Sequence, residues 1–264
     1  MRAVLTIAGS DSVAGAGVQA DLKTFAAHGV YGTSVVTAVT AQNTSRIADV
    51  CAVPPEMVRS QLEQVLQDVE ISAVKTGMLA TTEIVCVVAE TLARVRRPNL
   101  VVDPVLTATN PGARTLLIPE AVSMLKVRLL PLATVVTPNA AEAAELCGFQ
   151  VESRDSAREA AARIASLGPR AVVIKGGHLP GTQALDLLFF EGRFTELAAP
   201  RASVGPVHGT GCAFAAALAS RLALGDDVAE AVRRAKHYVT GAIERSFQVG
   251  QGARVLDHFW EHSG

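Results

Sequence analysis

Short β-branched apolar runs alternate along this chain with longer stretches of helical period. Ala3–Ala8, Thr33–Ala41, Ala73–Lys75, Leu100–Asp103, Thr134–Thr137 and Ala171–Lys175 are predicted strands. Apolar residues at helical spacing predict helices over Val18–His28, Pro54–Val69, Thr82–Val95, Pro119–Leu130, Ala140–Leu146, Ser156–Ser166, Cys212–Leu224 and Val228–Phe247. In Pro54–Val69, Pro55 suits a first turn, and Val58, Leu62, Val65, Leu66 and Val69 form one stripe. Thr81 or Thr82 and Ser156 are candidate N-caps. Leu185–Phe190 and Arg193–Ala198 predict a hairpin around Glu191-Gly192.

This alternation predicts an α/β fold with a mainly parallel sheet and helices on both faces. No linker or internal repeat interrupts it, so residues 1–264 are expected to form one domain. A ligand site is expected beyond the carboxyl ends of the strands. Composition narrows the function. Apolar residues make up 49% of the chain, enough for a large core; charged residues make up 19% and the net charge is -1, which gives no reason to expect nucleic acid. No run of about 18 apolar residues suggests a membrane span, and the N-terminal apolar run is short for a signal peptide. The cysteines at 51, 86, 147 and 212 form no C-x-x-C pair, which fits a reducing, cytoplasmic setting.

Polar and glycine-rich clusters follow the predicted strands: Gly9-Ser10-Asp11, Gln42-Asn43-Thr44, Lys75-Thr76-Gly77, Asp103-Pro104, Thr137-Pro138-Asn139 and Lys175-Gly176-Gly177-His178. Gly15-Ala16-Gly17-Val18-Gln19-Ala20 fits a loose dinucleotide pattern. It begins six residues after its strand, however, and no acid ends the second strand, so a tight loop opening a helix is the better reading. The P-loop sequence G-x-x-x-x-G-K-[ST] does not occur.

The sharper signal is His208-Gly209-Thr210-Gly211-Cys212, leading into a helix of small residues. Its glycines allow a turn that aims successive N–H groups at one point, and the helix start adds partial positive charge. Such an anion hole suits the γ-phosphate of ATP. Cys212 reads either as a thiol whose pKa falls at a helix N-terminus or as a buried cysteine among alanines. Asn139 and Glu142, three apart, read either as helix capping or as Mg2+ binding through water. Lys175, and more weakly Lys75, are candidate phosphate partners; Asp103 is a candidate to orient a metal-bound water.

Taken together, these residues resemble the hydroxymethylpyrimidine kinase/phosphomethylpyrimidine kinase family of thiamin biosynthesis, within the ribokinase-like superfamily. The resemblance spans nearly the whole chain. It rests on LTIAGSD at 5–11, GAGVQADLKTF at 15–25, GVYG at 29–32, TAQNT at 40–44, KTGML at 75–79, VDPV at 102–105, TPN at 137–139 with Glu142, KGGHL at 175–179 and HGTGC at 208–212. It implies a ribokinase-like sandwich, often dimeric, that uses ATP and Mg2+ to phosphorylate 4-amino-5-hydroxymethyl-2-methylpyrimidine and, in many members, its monophosphate. It also implies that Gln42 and Asp21 contact the pyrimidine and that Gly9, Met78 and Val105 line the ring pocket. Gly209, Thr210 and Gly211 would form the anion hole, and Cys212 would be the candidate base. Lys175 would hold phosphate, and Asn139 with Glu142 would support Mg2+. Three segments depart from the family pattern: Val13-Ala14, Ala108–Arg114, where Arg114 is a candidate substitute for a missing lysine, and Pro206-Val207 with Ala213. Pyridoxal or pyridoxine kinase on the same fold is the alternative activity, and a non-catalytic pyrimidine-binding module the alternative class.

Overall fold

The computed structural model describes residues 1–95, 99–106, 118–178 and 182–262. Among the described residues the main sheet has nine strands, in the order β3-β2-β1-β4-β5-β6-β7-β8-β9. These are β1 (Ala3–Ser10), β2 (Tyr31–Gln42), β3 (Ile47–Ala52), β4 (Ile71–Thr76), β5 (Asn99–Val102), β6 (Val135–Val136), β7 (Ala171–Ile174), β8 (Gln183–Phe190) and β9 (Arg193–Pro200). From β2 through β7 neighbouring strands are parallel, and β3, β8 and β9 are antiparallel additions at the two edges. A small parallel pair, β10 (Val207–His208) and β11 (Arg254–Val255), lies apart.

Alternate strand residues feed two cores, as the period of a pleated strand dictates. Val4, Ala73, Val101, Val135 and Val173 pack with α1 (Gly17–Ala27), α7 (Thr210–Ala223) and α8 (Val228–Glu244). Leu5, Val74, Val102, Val136 and Val172 pack against the opposite helices, α2 (Pro55–Asp68), α3 (Thr82–Arg94), α4 (Pro119–Met124), α5 (Ala140–Cys147) and α6 (Arg154–Ala165). Helix α7 is buried almost all round, and its alanines 213, 215, 216, 217 and 219 are fully enclosed. Such small side chains let it lie close against the sheet, so its first turn sits over the strand ends.

The expected elements are present, but β10 and β11 were not anticipated and several other elements differ. Strand β3 was not anticipated. Strand β2 is 12 residues long and runs on beyond β1, and β3 pairs with that projecting half. No residue of β3 is buried, so it carries no alternating apolar signal. The helix expected over Pro119–Leu130 is α-helical only to Met124, then widens to a π turn at Leu125–Leu129 and tightens to a 3-10 turn at Leu130–Leu132. Pro131 has no N–H to return to Val127, which accounts for the break. The last helix stops at Glu244, three residues short of Phe247.

Ser156 is not the cap of α6. Ser153 is: its hydroxyl accepts from the Ser156 N–H, and Ser156 returns the bond to the Ser153 N–H, closing a capping box. Thr81 caps α3 as expected. Glu191 and Gly192 both have positive φ, the geometry of a two-residue hairpin turn. Replacing Ser153 by Ala is expected to lower unfolding free energy by about 1 kcal/mol. The urea midpoint should fall with an unchanged slope; an unmoved midpoint would show that this cap adds nothing.

Candidate active site

A cavity of about 380 Å3 opens beyond the carboxyl ends of the parallel strands. Every expected site residue lines it except Asp21. Gly9, at the end of β1, packs directly on Met78: a Cβ there would lie 2.4 Å from the Met78 methyl carbon. Gln42 ends β2, Val105 follows β5, and Lys175 follows β7.

The turn before α7 forms the floor. Gly209 is the N-cap, with φ of 80°. A Cβ there would come within 1.8 Å of the Gly15 carbonyl oxygen, so only glycine fits. The first intrahelical bond runs from Ala213 N–H to Gly209 O. The N–H groups of Thr210, Gly211 and Cys212 therefore have no intrahelical partner, at the positive end of the helix dipole. Gly211 keeps the turn open to Lys175, whose Nζ would lie 3.0 Å from a Cβ at 211.

Two ammonium groups are held beneath this turn. Lys175 Nζ lies 2.7 Å from Asp103 Oδ1 and 3.9 Å from Glu142 Oε2. Lys75 Nζ donates to Asp21 Oδ2 at 2.8 Å, and both side chains are fully buried. Burial alone would pull the Lys75 pKa down, but the negative charge of Asp21, with Asp103 beyond it, outweighs it and holds the group charged. Lys175 is likewise raised, chiefly through Asp103 and Glu142 acting against its burial. This corrects the expectation for Asp21. It does not reach the cavity; its carboxylate is occupied by Lys75 and by Thr6 Oγ1 at 2.5 Å.

Cys212 is half-buried on the cavity wall. Its thiol is pushed up to about 11 by burial, with Lys75 pulling the other way and Asp21 and Asp103 adding to the rise. Of the two readings of Cys212, the buried cysteine is the one that fits: burial outweighs the groups that would lower its thiol.

Asn139 and Glu142 form a capping box at the start of α5. Asn139 Oδ1 accepts from the Glu142 N–H, and Glu142 Oε2 from the Asn139 N–H. Burial raises Glu142 to about 7, against the pull of Lys175. Among the described residues no group of three acidic, His or Cys side chains forms a metal cage. One carboxylate, one amide and the nearby Asp103 fit Mg2+ that keeps its waters and binds mainly to phosphate.

Asp11 carried no assigned role in the sequence. It organises the β1–α1 loop: Oδ1 accepts from Val13 N–H, and Oδ2 from Gly15 N–H, Ala16 N–H and the His208 ring. Within this loop Ala14 has φ of 60°, so one departure from the family pattern sits at a strained position. Lys236 on α8 was also missed. It lines the cavity and pairs with Asp186 at 2.9 Å, and Asp186 accepts from the Gly176 N–H beside Lys175. Nothing local in the sequence marks such a pair, because its members are joined only by the fold. Ala108–Arg114, with the Arg114 suggestion, lies outside the described residues, as does Leu179.

The profile of the phosphomethylpyrimidine kinase family matches residues 11–257. A hydroxymethylpyrimidine/phosphomethylpyrimidine kinase of Streptomyces coelicolor is 49% identical, with 97% of this chain and 94% of that protein covered. A bifunctional thiamine biosynthesis protein of Geobacter sulfurreducens is 47% identical over 97% of this chain; the chain spans 52% of its length. Among solved structures, the ADP complex of Bacillus subtilis pyridoxal kinase superposes with a TM-score of 0.93 at 37% identity, over the full length of both chains.

The raised thiol pKa predicts how Cys212 reacts. An acid with a raised pKa stays protonated longer, so alkylation of Cys212 by iodoacetamide should be slow at pH 7 and climb until about pH 11. Mass spectrometry of the Cys212 peptide across pH reads this; a rate that levels off below pH 8 would contradict it.

Proposed function

The chain belongs to the phosphomethylpyrimidine kinase family, and from that premise we propose that it uses ATP to phosphorylate 4-amino-5-hydroxymethyl-2-methylpyrimidine, and then the resulting monophosphate, in cytoplasmic thiamin biosynthesis. One observation carries the reading: three unpaired N–H groups and the Lys175 ammonium face the same cavity as Gln42 and Met78. The first two groups suit a transferring phosphoryl group, and the last two suit a flat polar ring.

In the proposed step the substrate hydroxymethyl oxygen forms a bond to the γ-phosphorus. The bond to the bridging oxygen breaks, and ADP leaves. Gly9, Met78 and Val105 sandwich the ring, and Gln42 orients it. The N–H groups of Thr210, Gly211 and Cys212 receive the charge on the transferring group, and Lys175 neutralises it. Asp103 keeps Lys175 aimed. Mg2+, held by Asn139 and Glu142 through water, would supply charge neutralisation on the phosphates. Asp21 acts through Lys75 rather than on the substrate. A loose transition state needs little base assistance, and a thiol raised to about 11 is protonated at neutral pH. Cys212 therefore contributes its backbone N–H and its shape more than proton abstraction, and the hydroxyl proton leaves late, to the transferred phosphoryl group.

The full-length likeness to a pyridoxal kinase supports a second reading, in which pyridoxal or pyridoxine is the alcohol. Both rings carry a CH2OH, so the same turn would serve either. ADP release with Mg2+ and each alcohol separates them, and product masses distinguish mono- from diphosphate. The proposal expects kcat/KM for the pyrimidine alcohol to exceed that for pyridoxal; the reverse order would transfer the assignment. A homodimer is also proposed. Exposed Val39 on β2, in the half that pairs with β3, offers apolar surface for it. Light scattering should then give twice 27.5 kDa, and a monomer mass would reject it.

Gly209→Ala drives a methyl group into the Gly15 carbonyl. It is expected to lower kcat by a factor of about 100 or more, the scale for loss of an oxyanion-hole donor. Steady-state kinetics on folded variant checks this; a loss below about threefold would mean that the turn does not hold the transferring group.

A further inference from the structure

His208 sits where the β1–α1 loop, the end of β2 and the turn before α7 meet. It is buried, and β11 flanks it through the pairing of His208 with Val255. Its Nε2 lies 3.0 Å from Asp11 Oδ2 and 2.9 Å from the amide nitrogen of Gln42. Its Nδ1 is buried without a partner.

Counting donors decides the tautomer. A hydrogen on Nδ1 alone would be buried and unpaired, and would leave a bare Nε2 facing a carboxylate oxygen. A doubly protonated ring would keep the same unpaired hydrogen. A single hydrogen on Nε2 avoids both. It gives Asp11 Oδ2 a third donor, beside the N–H groups of Gly15 and Ala16.

That hydrogen also fixes Gln42. Two nitrogens that both carry hydrogen do not bond to each other, and an amide's oxygen and nitrogen are told apart by their partners. Turned so that its oxygen faces the imidazole, Gln42 shares the ring hydrogen with Asp11. The amide atom 3.3 Å from Thr40 Oγ1 then becomes a donor to it. Thr40 is free to accept, because its own hydrogen goes to Ser10 O at 3.0 Å. The second amide hydrogen is left for the cavity that Gln42 lines.

The same ring locks two backbone segments. Gly209 follows it directly. A Cβ at Gly15 would lie 2.6 Å from His208 Cδ2, and one at Gly209 would lie 1.8 Å from Gly15 O. Loop and turn thus leave no slack for the ring to move.

We propose that His208 is a positioning residue that presents Gln42 as a hydrogen-bond donor to an acceptor nitrogen of the substrate ring, while latching the Asp11 loop to the phosphate-binding turn. The identity of that ring rests on the pyrimidine-alcohol reading; the tautomer and the latch do not.

The experiment has two arms. Long-range 15N–1H correlation spectra of the ligand-free wild-type protein at pH 7.5 should assign His208 as the Nε2–H tautomer. An Nδ1–H or doubly protonated ring would overturn the proposal, whichever alcohol is the substrate. In the kinetic arm, His208→Phe keeps the ring's shape without its donor, and His208→Gln restores an N–H near the Nε2 position. His208→Phe should raise KM for the pyrimidine alcohol roughly tenfold, the loss of one hydrogen bond, with KM for ATP nearly unchanged; His208→Gln should recover most of it. Equal KM values in all three proteins, or a Gln variant no better than Phe, would overturn it. Absence of wild-type turnover on the pyrimidine alcohol would instead reject the substrate assignment, and the tautomer spectrum would still decide the role of His208.

Discussion

Two carboxylate-paired ammonium groups under one helix N-terminus, Lys75 fully buried and Lys175 open to the cavity, are the constraint around which this candidate site is built. Lys75 and Lys175 lie at the ends of β4 and β7, below the first turn of α7, and each is held by a carboxylate at hydrogen-bond distance. Removing one partner of such a pair strands the other charge, at a cost of about 3–5 kcal/mol. The pairs therefore tie α1 to β4 and β5 to β7, and they fix where positive charge faces the cavity. The α7 turn adds three free N–H groups above them. Among the described residues, the sheet edge and one helix start bring these groups together on one cavity wall, a surface suited to an anion.

The second half of the site follows from close packing around glycine. Gly9 admits Met78, Gly209 admits the Gly15 carbonyl, and Gly211 leaves the route to Lys175 open. The Gly9–Met78 wall and the α7 turn are consequently joined through Asp11 and His208. The chain tolerates an alanine at position 14 in left-handed backbone geometry, which shows how firmly Asp11 clamps that loop.

Much of this was legible from residue order. The parallel strands were found as short apolar runs between helical stretches, and the two cores explain those runs: Val4 and Leu5, or Val101 and Val102, enter opposite cores, so neither residue of a pair is polar. Glycine and polar residues after each of those strands marked the cavity edge. What was hidden depends on the third dimension. Strand β3 has no buried face, so its sequence lacks a period. Asp21 lies in the GAGVQADLKTF run that carries the resemblance, yet pairs with a lysine 54 positions away. The Cys212 pKa is set by burial, which helix position alone does not reveal. Ser156 looked like a cap because it sits three residues from the true one and completes its box.

The structure of a ternary complex with a non-hydrolysable ATP analogue and the pyrimidine alcohol tests the central claim most directly. The account predicts the terminal phosphate within hydrogen-bond distance of the Thr210–Cys212 amides and of Lys175 Nζ, with the hydroxymethyl oxygen on its far side and the ring against Met78. A terminal phosphate bound away from that turn, with the two ammonium groups still facing only their carboxylates, would contradict it.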